Sequence, residues 1–278
     1  MFEKFVYFPV LLIVTISLFI SSCKSADSLL EENYPEHIIN SYDYAEMADS
    51  QIKIVSYNIQ RGYKIDEILE TLLNSEKLQK PDVLLLQEVC GTSIDTISQY
   101  LSLNYVFYPI AKKTKESKDC GNAILTKHKI VSSKKLILPN EKIDHGRRSA
   151  TIATVEINDT LTTIASVHME TIVMKLPKRI EQLEYILENI NLDNSDKIIV
   201  GGDFNSFFNQ DKERFNNLMS SEGFFNHTEG IDFTCKALGG LVRTKLDHIY
   251  TIGFAKVNSG VGPLNKASDH QAIWCTMQ

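Results

Sequence analysis

Short apolar runs recur along most of this chain, and many of them end in a polar residue. Runs of about four to eight residues rich in Val, Ile and Leu are typical of buried β-strands. One run is interrupted by Gly201 and Gly202, which predicts that the strand stops there and a loop follows. The runs occupy residues 53–59, 82–89, 150–157, 161–170, 197–205, 245–253 and 272–277. The pattern predicts a strand-rich domain.

Two other stretches have the three-to-four-residue apolar spacing of an amphipathic helix. The first contains Ile65, Ile68, Leu69, Leu72 and Leu73, and the second contains Ile180, Leu183, Leu187 and Ile190. Pro177 precedes the second stretch and suits the first turn of a helix. Because every strand and helix must bury its apolar side, we expect two packed sheets with helices on their outer faces.

The N-terminus has the features of a secretory signal peptide. Lys4 precedes an apolar run over residues 5–20, and small residues lead from there to Cys23. The alternative interpretation of the run is a membrane-spanning helix. The run is shorter than the roughly 20 apolar residues that such a helix needs. The residues Ile20, Ser21, Ser22 and Cys23 resemble the lipobox of bacterial lipoproteins, in which the cysteine carries the lipid.

These features predict three regions along the chain. Residues 1–22 form the signal peptide, and residues 23–50 form a polar tether that is anchored in the membrane through the lipid on Cys23. Residues 51–278 form one large domain, because no repeat or low-complexity tract divides them. We therefore expect an exported, membrane-anchored lipoprotein of a bacterial cell envelope.

Charge and cysteine content narrow the functional classes. The net charge of −6 argues against a long basic face for duplex DNA, since phosphate-binding surfaces carry Lys and Arg. The cysteines of the folded part, Cys90, Cys120, Cys235 and Cys275, have no zinc-finger spacing. They are either buried thiols or disulfides, which an exported protein permits, and Cys90 with Cys120 is the first pair to test.

Polar side chains at the ends of the predicted strands are the candidate functional residues. Packed strands would hold such side chains on a rigid base while their polar groups face a shared opening. The residues are Asn58, Glu88, His168, Asp203, Asn205, Asp247, Asp269 and His270. By contrast, His128, His145, His227 and His248 have no such context and are interpreted as surface or packing residues.

Six short motifs contain these residues in a fixed order: NIQRG, LLLQEV, VHME, GGDFNS, LDHIY and SDH. They resemble the successive motifs of the endonuclease/exonuclease/phosphatase superfamily and span residues 58–270. The resemblance implies an α+β fold, a four-layer α/β/β/α sandwich of two mostly antiparallel sheets flanked by helices. It also implies a hydrolase of phosphate esters that uses Mg²⁺, with Mn²⁺ as a substitute.

The resemblance assigns the metal to one group of residues. Glu88 is the first ligand, Asn58 lies beside it, and Asp269 contributes to the same metal or to a second one. Mg²⁺ prefers carboxylate and water oxygens and needs few protein ligands, which is consistent with this set. Arg148, next to Arg147, resembles a basic turn of the family and would bind phosphate through its guanidinium fork.

The remaining residues receive catalytic roles. By resemblance, Asp203 orients or deprotonates the attacking water and Asn205 steadies it, while His168 donates a hydrogen bond to the scissile phosphate. Asp247 pairs with His270 in the family. A carboxylate beside an imidazole raises the pKa of the imidazole, so His270 is a base or a charged donor to phosphate.

Several substrates fit this chemistry. We favour a phosphodiesterase or nuclease that acts outside the cytoplasm on nucleic acid or another phosphodiester. We also expect the chain to be monomeric. A lipid phosphodiesterase similar to sphingomyelinases and a phosphatase of the same superfamily are alternatives. A non-catalytic surface lipoprotein that keeps the fold as a binding module is the alternative of another class.

Overall fold

The computed structural model describes residues 28–31, 33–42, 51–113, 118–140, 147–190, 196–237 and 240–278. Its strands are β1 Ser28–Leu29, β2 His37–Ile39, β3 Ile52–Asn58, β4 Val83–Cys90, β5 Asn104–Lys113, β6 Lys118–Thr126, β7 Lys129–Ile137, β8 Ser149–Ile157, β9 Thr160–His168, β10 Lys197–Asp203, β11 Phe225–Asn226, β12 Cys235–Ala237, β13 Val242–Thr244, β14 Asp247–Ile252, β15 Lys256–Val261 and β16 Ile273–Met277. Its α-helices are α1 Ile65–Asn74, α2 Ser93–Leu101, α3 Leu176–Asn189 and α4 Asn209–Ser221.

The strands form two large sheets and a small hairpin. The eight-stranded sheet has the order β1-β5-β6-β4-β3-β16-β15, with β2 also paired to β5. The six-stranded sheet has the order β11-β14-β10-β9-β8-β7, and β12 pairs with β13. Neighbouring strands are antiparallel except β3 with β4 and β9 with β10. The predicted pair of mostly antiparallel sheets is confirmed.

Three apolar layers hold the sandwich together. Between the sheets, Ile54 and Leu85 pack against residues of the facing sheet such as Ile199. On the outer face of the eight-stranded sheet, side chains of β3 to β6 pack against α1 and α2. On the outer face of the six-stranded sheet, β8 to β10 pack against α3 and α4. This is the predicted α/β/β/α arrangement.

The two helices that the periodicity predicts are α1 and α3. Helix α1 has Asp66 and Glu67 in its first turn, where acidic side chains favour the helix dipole, and Pro177 lies in the first turn of α3. Helices α2 and α4 were not predicted. Helix α4 is mostly polar and anchors through Phe215 and Met219, so it lacks a continuous apolar stripe.

The prediction that Gly201 and Gly202 stop a strand is wrong. Strand β10 runs through both glycines to Asp203 and pairs with β9 and β14 along that length. A Cβ atom on Gly202 would collide with the carbonyl oxygen of Val167, and one on Gly201 would lie 2.7 Å from Leu85 of the facing sheet. The glycines are therefore required for close packing, and the strand carries Asp203 to its end.

The segment predicted as a tether contributes two short strands to the fold. Backbone pairing ties Ser28–Leu29 and His37–Ile39 to β5 of the eight-stranded sheet. This differs from the expectation that the folded part begins at residue 51. The signal peptide and Cys23 lie outside the described residues. Within the described ranges, no helix has the length and apolar character needed to cross a membrane.

Cys90 and Cys120, the pair singled out from the sequence, form a disulfide. The two residues are direct partners across β4 and β6, which brings their side chains together. Cys235 and Cys275 are buried free thiols. The disulfide joins the end of β4, which carries Glu88, to the neighbouring strand.

Candidate active site

Three of the predicted site residues lie side by side across the six-stranded sheet. Asp203 on β10 is the Cα partner of His168 on β9 and of Asp247 on β14. Side chains alternate between the faces of a strand, so Asp203 shares the face of Ile199, which packs between the two sheets. The row therefore lies at the end of the sandwich interior, where the strands stop and loops begin.

Asp203 is the centre of the cluster. Its carboxylate accepts a hydrogen bond of 3.1 Å from the Asn58 side-chain amide of the facing sheet and one of 2.9 Å from the backbone N–H of Asn205. The Nε2 atoms of His168 and His270 lie 3.6 and 3.7 Å from the same carboxylate oxygen. Residues far apart in sequence thus converge on one carboxylate.

The environment makes Asp203 hard to ionise. Burial and the negative charge of Asp247 raise the pKa of Asp203 to about 7, against the opposing effects of His270 and of the hydrogen bonds from Asn205 and Asn58. A carboxylate with a pKa near neutral is suited to accept a proton during a reaction at that pH. Perturbation of this kind is typical of functional sites.

His270 and Asp247 are hydrogen-bonded to each other. The Nδ1 atom of His270 lies 2.9 Å from Asp247 Oδ2, and the same oxygen accepts a 2.5 Å hydrogen bond from the Thr234 hydroxyl. Burial opposes the charged imidazole, but the carboxylates of Asp247 and Asp203 outweigh it and raise the pKa of His270 well above its ordinary value. These surroundings favour the charged form of His270, whose Nε2 atom faces Asp203.

Asn58 ends β3 and links the two sheets. Its side-chain nitrogen donates to Asp203, and its side-chain oxygen accepts a 3.1 Å hydrogen bond from the backbone N–H of Gln60. The amide oxygen has a second lone pair, which is the atom that the predicted metal role requires. Asn58 is the Cα partner of Gln87, so it stands next to the strand end that carries Glu88.

Glu88 owes its position to a break in strand β4. The pairing of β4 with β6 shifts between Leu86 and Val89, and Glu88 has a left-handed backbone with φ of 54°. Leu86 and Val89 both pack towards the outer helices, so the irregularity removes Glu88 from that apolar face. Among the described residues, its half-buried carboxylate has no hydrogen-bond or ion-pair partner. A free carboxylate of this kind fits a metal ligand.

Asp269 lies in a loop fixed against Asn58 and the β12–β13 hairpin. The hydroxyl of Ser268 donates to the Asn58 carbonyl at 2.7 Å, and the backbone N–H of Lys236 donates to the Asp269 carbonyl at 2.8 Å. The Asp269 carboxylate is partly exposed. The carboxylates of Glu88 and Asp269, with the amide oxygen of Asn58, are the hard oxygen donors that Mg²⁺ prefers.

Arg148 lies beside His168 rather than alone at the surface. Its Nη1 atom is 2.9 Å from His168 Nε2, and its Nε atom is 3.5 Å from the buried carboxylate of Glu170. Guanidinium can only donate, so the imidazole nitrogen it contacts must act as the acceptor. For His168 to donate to phosphate, as predicted, this contact has to open. Glu170 was not predicted as a site residue, although it belongs to the VHME motif.

A buried arginine supports the loop after Asp203. Arg179 on α3 donates to the Asn205 carbonyl at 2.8 Å and pairs with Asp211 of α4 at 3.2 Å. Asn205 has a left-handed backbone with φ of 51°, and its side-chain nitrogen donates to the Met169 carbonyl at 2.9 Å. Because the side-chain nitrogen of Asn205 donates to Met169, the side-chain oxygen is the atom that would steady the water. The apolar spacing of α3 gave no signal for Arg179.

The fold and the clustered side chains define a class that comparison with known proteins identifies. The chain belongs to the endonuclease/exonuclease/phosphatase family, whose model matches residues 55–270. Members of this family are phosphoric ester hydrolases that depend on a divalent metal ion, and the chain is therefore a hydrolase of this type. No curated protein matches the chain.

Solved structures with similar folds include three from different organisms. D. rerio TDP2 complexed with a single-strand DNA product has 19% identity and a TM-score of 0.67, with 83% of this chain and all of that chain covered. The human nocturnin catalytic domain with a bound sulfate anion has 20% identity and a TM-score of 0.62, with coverage of 82% and 93%. A family protein from Bacteroides vulgatus has 13% identity and a TM-score of 0.66, with coverage of 83% and 99%. At these identities the likeness concerns the fold.

Proposed function

We propose that this chain is a Mg²⁺-dependent phosphodiesterase that cleaves nucleic acid by attack of water on phosphorus. The observation that carries the proposal is the convergence of His168 and His270 on Asp203, which has a raised pKa. In this geometry Asp203 would act as a base and His270 as a charged hydrogen-bond donor to the same phosphate. Hydrolysis of a phosphodiester needs both, because water must lose a proton and the phosphate gains charge.

Glu88, Asn58 and Asp269 would hold the metal ion, and Mn²⁺ could replace Mg²⁺ there because both prefer oxygen ligands. When bound, the metal neutralises phosphate charge and polarises the phosphorus–oxygen bond. Glu88 reaches this role through its irregular backbone, and Asp269 through the loop that hydrogen-bonds to Asn58.

Asp203 would accept the proton of the attacking water. Its carboxylate is held by Asn58 and by the backbone of Asn205, so the oxygen that receives the proton has a fixed direction. Its pKa of about 7 means that proton uptake is close to balanced at neutral pH. Asn205 would orient the water from the same loop.

His270 would donate its Nε2 proton to a non-bridging oxygen of the phosphate. Asp247 fixes the ring through Nδ1 and stabilises the cation, which leaves Nε2 as the donor. His168 would add a second hydrogen bond once Arg148 releases it, and Arg148 would then be available to the phosphate. The incoming phosphate supplies the negative charge that makes this exchange favourable.

Two Arg–aromatic pairs close in sequence to the site residues support a nucleic-acid substrate. Arg61 lies over the ring of Tyr63 just after Asn58, and Arg243 lies over the ring of Phe233 just before Thr234. Tyr63 is 54% exposed. Exposed aromatic rings with adjacent Arg side chains can stack against bases without sequence preference. The D. rerio TDP2 structure holds a single-strand DNA product, which agrees with this choice.

A substrate panel tests the proposal. Purified protein with Mg²⁺ is offered single-stranded DNA, duplex DNA, RNA, sphingomyelin and inositol phosphates, with EDTA as the metal-free control. We expect single-stranded nucleic acid to be cleaved fastest and EDTA to abolish cleavage. Faster turnover of sphingomyelin or inositol phosphates would establish one of the alternatives, and inertness towards all substrates would support a binding module.

A further inference from the structure

A second group of potential ligands shares two residues with the proposed active site. The ligand atoms of Cys235, Asp269 and His270 all lie within 4.8 Å of one another. Cys235 is 2% exposed and is a free thiol. Hydrolysis as proposed above uses Asp269 and His270 but needs no thiol, so the position of Cys235 calls for a separate explanation.

Backbone contacts hold the three residues together. Cys235 forms an isolated β-bridge with His270, and the neighbouring Lys236 donates to the Asp269 carbonyl at 2.8 Å. The backbone N–H of Gln271 donates to the Thr234 carbonyl at 2.6 Å. The β12–β13 hairpin and the loop before β16 are thus paired over adjacent residues, and their side chains keep a fixed relation.

The three donors match Zn²⁺ better than Mg²⁺. Thiolate, imidazole and carboxylate are the usual zinc ligands, whereas Mg²⁺ takes oxygen ligands and avoids thiolate. Bonds of about 2.0 to 2.3 Å in a tetrahedron place two ligand atoms roughly 3.3 to 3.8 Å apart. The ligand atoms lie within 4.8 Å of one another, so a contraction of about 1 Å at most brings them to this span, which side-chain rotation can supply.

We propose that Cys235, Asp269 and His270 form an inhibitory Zn²⁺ site that overlaps the active site. Binding forms a sulfur–zinc bond at Cys235 and a nitrogen–zinc bond at Nε2 of His270, and the thiol proton and the Nε2 proton both leave to solvent. Since Nδ1 of His270 is bonded to Asp247, the ion takes Nε2, the atom proposed to donate to phosphate. It also occupies Asp269, a proposed Mg²⁺ ligand. Zinc would therefore block two parts of the reaction at once.

Cobalt provides a direct test of the binding site. Co²⁺ added to the full chain in place of Zn²⁺ gives a thiolate-to-cobalt charge-transfer band in the near ultraviolet only if a cysteine is a ligand. We expect the band in the unmodified protein and in Cys275→Ser, a matched variant of the other buried free thiol among the described residues. Cys235→Ser and Cys235→Ala should lose it. Absence of the band from the unmodified protein, or its persistence in the Cys235 variants, would overturn the site.

Inhibition by Zn²⁺ is measured in a separate experiment. This part of the proposal rests on the proposed function. With Mg²⁺ at saturation, Zn²⁺ should inhibit cleavage of single-stranded DNA, and Cys235→Ser should need at least about 10-fold more Zn²⁺ for the same effect. Cys275→Ser should match the unmodified protein. Equal zinc sensitivity of all three would contradict the overlap. A protein without turnover that still shows the cobalt band would refute the proposed function and leave the zinc site standing.

Discussion

Two buried aspartates at opposite ends of the sandwich have opposite electrostatic surroundings. Asp82 immediately precedes β4, while Asp203 ends β10 beside Asn58 at the other end of the parallel β3–β4 pair. The Asp82 carboxylate accepts from the Lys53 backbone at 2.7 Å and pairs with the Lys127 ammonium at 2.6 Å. Although burial opposes its charge, hydrogen bonds from His128, Lys127 and Lys53 lower the pKa of Asp82.

Asp203 receives weaker compensation, from His270 and from the hydrogen bonds of Asn205 and Asn58. No lysine or arginine pairs with it among the described residues, and burial together with the nearby Asp247 raises its pKa to about 7. The fold therefore stabilises the charged form of Asp82, whereas it disfavours the charged form of Asp203. The comparison contrasts a carboxylate that stabilises the fold with one that we propose acts in the reaction.

Isosteric amides should separate the two roles most strongly. Asp203→Asn should lower kcat about 10³- to 10⁴-fold, because the proton acceptor is lost. Asp82→Asn should retain turnover. Stability should change in the opposite sense: above pH 7 a carboxylate with a raised pKa costs folding free energy, so Asp203→Asn should keep or raise the Tm.

Asp82→Asn should instead lower the free energy of unfolding by about 1.5 to 3 kcal/mol, since charged hydrogen bonds are removed. The lowered pKa of Asp82 also means that its contribution is present at neutral pH and is lost as the pH falls into the acid range. Kinetics and thermal melts of both variants give the comparison. Loss of activity in Asp82→Asn, or a large loss of stability in Asp203→Asn, would break it.

The residues of the candidate active site lie on two kinds of backbone. His168, Asp203 and Asp247 stand in one row on paired strands, whereas Glu88 has a left-handed backbone at a break in β4. Glu88→Gln and Glu88→Gly should both weaken Mg²⁺ activation by at least about 100-fold, since a metal ligand is lost.

Only the glycine variant of this pair should become more stable. A positive φ costs a non-glycine residue of order 1 kcal/mol, which glycine avoids. Mg²⁺ titrations and chemical denaturation measure the two effects. If Glu88→Gln binds Mg²⁺ normally, Glu88 is not a metal ligand. If the two variants are equally stable, the left-handed backbone at residue 88 does not cost folding free energy.

The contrast between the two backbones also explains what the sequence could predict. The apolar runs predicted the two sheets, and the polar residues that end them, such as Asp203 and Asn58, were predicted to share an opening. The contacts of Arg148 with His168 and Glu170 depend on residues from separate strands, which no local pattern reveals. The break at Glu88 and the extension of β10 through its glycines depend on cross-strand packing, which the local sequence does not encode.

The pH dependence should report Asp203 and His270 on opposite limbs. The raised pKa of Asp203 predicts that kcat/KM falls as the pH drops through about 7, and the raised pKa of His270 places its loss of charge on the alkaline side. Asp247→Asn removes a negative charge that raises both pKa values, so both limbs should move to lower pH. The measurement is the pH profile of kcat/KM for the unmodified protein and for Asp247→Asn. An acid limb that does not move would contradict the effect of the Asp247 charge on the pKa of Asp203.

The most direct test of a shared reaction centre is anomalous diffraction from crystals grown with Mn²⁺ and a non-hydrolysable single-stranded DNA analogue. We expect a Mn²⁺ peak bonded to Glu88 at about 2.1 to 2.2 Å, with the phosphate between this ion and the His270 Nε2 atom. A Mn²⁺ ion away from Glu88, or a phosphate out of reach of Asp203 and His270, would contradict it.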